Sequence, residues 1–118
     1  MNNYHSKLKP FIAKCFEAST FHITQRDSVL IHATDQAYKE GTTLCTDLIV
    51  MNYEEGCFIF AAWDDNEVEE MYTTLKGQGF SNELIELLKL AKYHNCKFLQ
   101  LDRDGVVYEE LPVFDWDN

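Results

Sequence analysis

Residues 45–63, CTDLIVMNYEEGCFIFAAW, constrain the fold more than any other part of the chain. Two apolar runs, 48–51 and 57–63, flank a short polar stretch that ends in Gly56. Each run has strand length and is rich in branched or aromatic side chains. A glycine in the connection supplies the positive φ that a short hairpin loop uses. Neither run alternates apolar with polar residues, so both faces of the hairpin are expected to be covered. That places the hairpin at the centre of a sheet.

The segments around it carry readable start and stop signals. Residues 8–18 suit either a short helix opened by Pro10 or an edge strand, and STFHI (19–23) reads as a short strand. Thr24 with Asp27 three residues on forms a capping-box signature for a helix over 25–40, with Leu30, Ala33, Ala37 and Tyr38 as its apolar stripe and Gly41 as its stop. After the hairpin, DDNEVEEMYTTLKG is a helix that Asp64 or Asp65 can cap, with Val68, Met71, Tyr72 and Leu75 on one face. Ser81 opens a third helix over 82–94, the most apolar of the three, and Asn95 is a left-handed stop. A strand follows at 97–101, then the turn Asp102-Arg103-Asp104-Gly105 and a weak strand at 106–108. Phe114 and Trp116 suggest a docked tail. The order β-α-β-β-α-α-β predicts one α+β domain over 1–118. Its sheet is mixed, with four to five strands and about three helices packed on one face. The expected core is Ile49, Met51, Phe58, Phe60, Leu84, Leu87, Leu88, Phe98 and Leu101. What covers the second face of the hairpin is open: the tail, the N-terminal segment or a second copy of the chain.

Charge excludes more than it assigns. Twenty acids against ten lysines and arginines give a net charge of −10, which argues against a direct grip on nucleic acid or an anionic membrane. The charge is blocked: residues 47–70 hold eight acids (Asp47, Glu54, Glu55, Asp64, Asp65, Glu67, Glu69, Glu70) and no base. The longest apolar run is far short of the ~20 residues a membrane helix needs, and the start MNNYHSKLKP lacks the apolar stretch of a secretory signal. Four cysteines (15, 45, 57, 96) without paired spacing then read as reduced thiols in a cytoplasm.

Chemistry-bearing motifs are sparse. The turn at 102–105 opens like a calcium loop, but the later ligand positions are missing. Histidines 5, 22, 32 and 94 show neither mutual nor cysteine spacing for zinc, so no metal or cofactor is expected. No nucleophile elbow, phosphate loop or dinucleotide fingerprint is present. A hydrogen-bonded structural role is the stronger reading for His22.

STFHIT before a helix, GFS opening another, and the ending FLQLDRDGVVYEELPVFDW together resemble a family of small uncharacterised bacterial proteins often carried on plasmids and other mobile elements. The resemblance spans most of 19–116. It implies small accessory proteins of mobile DNA, a class that includes inhibitors of host defence, and it assigns no catalytic residue.

Two functions fit these observations. In the first, the chain is a non-enzymatic acidic binding protein, an inhibitor or nucleic-acid mimic whose Glu54, Glu55, Asp64, Asp65, Glu67, Glu69 and Glu70 engage a basic protein. In the second, it is a small enzyme or ligand-binding domain with a polar cleft around His22, Asp102 and Asp104. One contiguous negative face would favour the first, and a concave site with convergent polar groups the second.

Overall fold

The computed structural model describes residues 7–43 and 45–116. His5, Leu44 and the first residues of the chain lie outside them. Strands β1 (Cys15–Ser19), β2 (Val50–Tyr53), β3 (Gly56–Phe60) and β4 (Phe98–Asp102) form one sheet in the order β1-β4-β3-β2. β1 runs parallel to β4, and the other two pairings are antiparallel. Helices α1 (Gln25–Glu40), α2 (Val68–Gly77) and α3 (Asn82–Tyr93) complete an α+β fold. Among the described residues no helix is long and apolar enough to cross a membrane.

Several local signals act as the sequence implies. Thr24 and Asp27 make a reciprocal capping box, Gly41 closes α1 at φ 68°, Ser81 caps α3, and Asn95 adopts φ 60°. Other boundaries differ. Residues 20–22 form a 3-10 turn where a strand was expected, because β1 ends at Ser19, whose side chain caps the turn. Residues 106–108 form no strand; only Val106 joins the sheet edge, accepting from the Ser19 N–H at 2.8 Å. Neither Asp64 nor Asp65 caps α2. Its N-cap is Glu67 without a side-chain bond, and Asp65 instead pairs with Lys92 at 2.9 Å.

The hairpin's position is also corrected. β3 and β4 are central, but β2 is an edge. Gly56 has no positive φ; it pairs with Asp102 on β4, where a Cβ would come within 1.9 Å of the Leu101 carbonyl oxygen. Close backbone approach, rather than turn geometry, calls for glycine there.

Alternation along the strands sorts the sheet into two unlike faces. One face carries Ala18, Val50, Cys57, Ile59, Leu99 and Leu101, all buried with Leu84, Leu87, Leu88 and Ala91 of α3 and Tyr72 and Leu75 of α2. The other carries Met51, Phe58, Phe60, Phe98 and Gln100, and among the described residues no helix covers it. Of the expected core, Leu84, Leu87, Leu88 and Leu101 are buried. Ile49 and Met51 are exposed, and the three phenylalanines are half-buried on the open face. The apolar runs are continuous because one face is core and the other is an apolar surface that the described helices leave open.

α1 departs from its expected stripe in the same way. Its inward residues are Asp27, Ile31, Thr34 and Asp35, whereas Ala33 is exposed and Tyr38 is 74% exposed. Two of these positions escape a hydrophobicity count because they are polar and satisfied: Thr34 donates to the Leu30 carbonyl at 2.8 Å and bonds the Thr46 hydroxyl at 2.7 Å, and Asp27 joins two helix caps.

The uncovered sheet face as a candidate functional site

The alternation that buries Cys57 and Ile59 turns Phe58 and Phe60 outward. The antiparallel register then sets Phe98 beside Phe60 and Gln100 beside Phe58. Five rings follow in series across the face. Tyr53 lies 5.4 Å from Phe58, Phe58 and Phe60 each lie 6.3 Å from Phe98, and Phe60 lies 5.2 Å from Trp63. These are the tilted and edge-on spacings that aromatic pairs prefer. Beyond the last ring a cleft of about 530 Å³ opens between Phe11, Ile12, Lys14, Trp63 and Lys97. Phe11 is 90% exposed there.

A polar line crosses the same face. Cys15 Sγ donates to Gln100 Oε1 at 3.4 Å, Gln100 Nε2 donates to the Tyr53 hydroxyl at 2.9 Å, and that hydroxyl donates to Asp102 Oδ2 at 2.6 Å. Burial, and then the bond to Asp102, push Tyr53 up to about 12. The same bond, followed by the Asp104 N–H, holds Asp102 below the ordinary carboxylate range. Each group therefore holds the other in the protonation state their bond needs.

Acids stand at both ends of β3. Glu54 and Glu55 form the hairpin tip before it, while Asp64, Asp65, Glu67, Glu69 and Glu70 follow Trp63 beyond its other end, all five exposed. Eight residues, 56–63, separate the two groups, and the five of β3 alone span roughly 16 Å, so they are two acidic ends rather than one row. Lys92 bonds Asp65 and also donates to the Trp63 carbonyl at 2.8 Å, tying the second acidic end to α3.

The second set of sequence-derived residues takes other places. His22 is buried, and both ring nitrogens are occupied: Nδ1 donates to the Pro112 carbonyl at 2.7 Å and Nε2 accepts from the Tyr108 N–H at 2.9 Å. With Trp116 Nε1 donating to the Ile23 carbonyl at 3.0 Å and the Phe114 N–H donating to the Phe21 carbonyl at 2.8 Å, the ring fastens the tail to the 3-10 turn. Asp102 and Asp104 share a turn closed by the Asp104 N–H on Asp102 Oδ1 at 2.8 Å. Neither of the two clefts described in this structure is lined by His22, Asp102 or Asp104. Among the described residues no three His, Cys, Asp or Glu side chains are grouped to hold a metal ion.

All four thiols are free. Burial pushes Cys57 up to about 12 and raises Cys15, to which Cys96 and Glu17 add, so both are held in the un-ionised, weakly nucleophilic form.

Two features of this face escape a sequence reading. The phenylalanines of 57–63 are indistinguishable from core until the register is known, and Gln100 is linked to Tyr53 only through the pairing of three strands. Comparison with known proteins gives one match: no curated protein and no solved structure matches the chain. Residues 15–116, which contain the whole sheet, α1 to α3 and the tail to Trp116, match the C-terminal domain of a family of unknown function, DUF5983, and the chain belongs to that family.

Proposed function

We propose that the chain is a non-enzymatic binding protein that presents the open face of its sheet, flanked by acids, to a basic protein. The observation that carries this reading is the five-ring ladder lying between two acidic ends. An apolar centre with a charged margin is how protein interfaces are built, and an uncovered row of large apolar side chains is unusual on a surface with no partner. The sign of the margin selects the partner, because a chain of net charge −10 attracts basic surfaces and repels acidic ones. Flat rings beside carboxylates also offer what a single strand of nucleic acid offers a protein, namely faces to stack on and negative charge. Mimicry of nucleic acid, in an inhibitor of a basic defence protein carried on mobile DNA, is the specific form we favour.

The test uses the partner recovered by pull-down, measured at 0.05 and 0.5 M salt against three forms of the chain. Wild type should associate more slowly at high salt, as the Debye length shrinks to a few ångströms. The triple reversal of Glu67, Glu69 and Glu70 to Lys should slow association and flatten the salt dependence. Met51→Glu, on the exposed edge of the same face, should speed dissociation. A partner indifferent to both variants and to salt would end this reading.

A further inference from the structure

A second cleft, of about 620 Å³, lies between α1, the hairpin tip and the tail. Its floor, the core residues Ile31, Cys57 and Leu101, lies on the helix side of the sheet, and Tyr53, the first ring of the ladder, lines its rim at the hairpin tip. Set into this apolar floor is a carboxylate. Asp35 is only 4% exposed, and among the described residues its ion-pair partner is Lys39, a turn later on α1 at 3.0 Å, whose side chain is 58% exposed. Burying a carboxylate is costly unless it is well paired. A lysine one turn away with most of its length in solvent is a weak partner. The charge is felt at the floor: after burial itself, Asp35 is the next contributor to the rise of the Cys57 thiol. The Trp116 side chain, half-buried and pinned by its bond to Ile23, forms a wall. Glu54 and Glu55 stand at the tip, so three acids outnumber the two bases, Lys39 and the exposed Arg103, with the exposed His32 also on the rim.

We infer that this cleft receives a guanidinium group, anchored on the Asp35 carboxylate. The chemistry favours guanidinium over ammonium. Its planar fork meets a carboxylate with two parallel N–H bonds, it stacks on aromatic rings, and it is weakly hydrated enough to leave water. Lys39 swings into solvent as the group enters. The inference rests on the reading of the chain as a binder of a basic protein, whose arginine side chain is the natural source. A free small guanidine carries the same chemistry.

The probes are agmatine, butylamine and the capped tripeptide acetyl-Gly-Arg-Gly-amide, titrated into the isotope-labelled full chain and followed by amide and indole chemical shifts. Agmatine and the tripeptide should give saturable shifts at Asp35, Lys39 and Trp116, and butylamine should bind several-fold more weakly. Asp35→Asn should weaken agmatine at least tenfold. Should that variant fail to fold by circular dichroism, the double variant Glu54→Gln, Glu55→Gln at the tip should weaken it several-fold. The reversal of Glu67, Glu69 and Glu70 should leave agmatine binding unchanged, which separates this cleft from the open face. No saturable shift at tens of millimolar agmatine, or affinity unchanged in the folded variants, overturns the inference while leaving the open-face reading to its own test. Shifts with agmatine but none with the tripeptide would overturn the side-chain source and assign the cleft to a free guanidine.

Discussion

The carboxylate of Asp27, in the first turn of α1, accepts hydrogen bonds from both the backbone N–H (2.8 Å) and the hydroxyl (2.5 Å) of Ser81, the N-cap of α3. It also accepts from the Thr24 N–H at 3.1 Å, and Ser81 Oγ passes the connection on by accepting from the Leu84 N–H at 3.1 Å. One buried carboxylate thus stands at the positive ends of two helices and fixes their starts to each other. Helix dipoles and charge-assisted bonds both favour a negative group there.

Removing that carboxylate should be among the most damaging single changes on α1. Asp27→Ala loses three charge-assisted bonds and leaves buried donors unpaired, an expected cost of about 3–5 kcal/mol, whereas Ser81→Ala should cost about 1–2 kcal/mol. Because the two residues act on one network, the double variant should fall short of the sum by about 1 kcal/mol or more. Urea unfolding of all four proteins measures this, and strict additivity would show that the caps work independently.

The two faces of the sheet should respond oppositely to truncation. Leu88, 1% exposed on the helix side, should cost about 2–5 kcal/mol on replacement by Ala. Met51, 56% exposed on the open face, should cost less than about 1 kcal/mol. Phe60→Ala should fall between them, at roughly half the 3–5 kcal/mol of a fully buried phenylalanine. Denaturant midpoints give the ranking, and a Met51 variant as damaged as the Leu88 variant would mean that the open face is core.

The bond from Tyr53 to Asp102 predicts a plateau in stability against pH. Asp102 is held below its ordinary value of 3.8, so its contribution is complete above that value and disappears as pH falls through the lowered folded one. Tyr53 is raised from 10.0 to about 12, so its contribution is complete below 10.0 and disappears as pH climbs toward about 12. Tyr53→Phe removes the tyrosine's contribution and the largest part of that of Asp102, leaving the part due to the Asp104 N–H and Arg103. The stability difference between wild type and this variant should therefore be constant over roughly pH 5–9 and shrink on either side. A difference that does not change with pH would show that the bond does not persist in solution.

Much of this molecule is written locally. Thr24 with Asp27, Gly41, Ser81 and Asn95 set helix ends through contacts or backbone geometry within a few residues, so their meaning survives without a fold. The class of the fold follows from the order of such segments. The acidic blocks, too, are read from the order of residues alone.

The open face, the edge position of β2 and the cleft around Asp35 are not local. Which of Phe58 and Ile59 enters the core depends on a strand register that a shift of one residue would invert, and only the pairing of β3 with β4 settles it. Asp35 has the look of a solvent-facing helix residue until α1 is laid beside β2. The sequence favours a hydrogen-bonded structural role for His22 but cannot name its partners, which are Pro112 and Tyr108, some ninety residues away. The sequence by itself determined the three helices, the hairpin, the caps of α1 and α3 and the charge, because these depend on neighbours along the chain. Tertiary structure decided what is buried and what converges, because burial and cleft geometry arise only between segments that the chain keeps far apart.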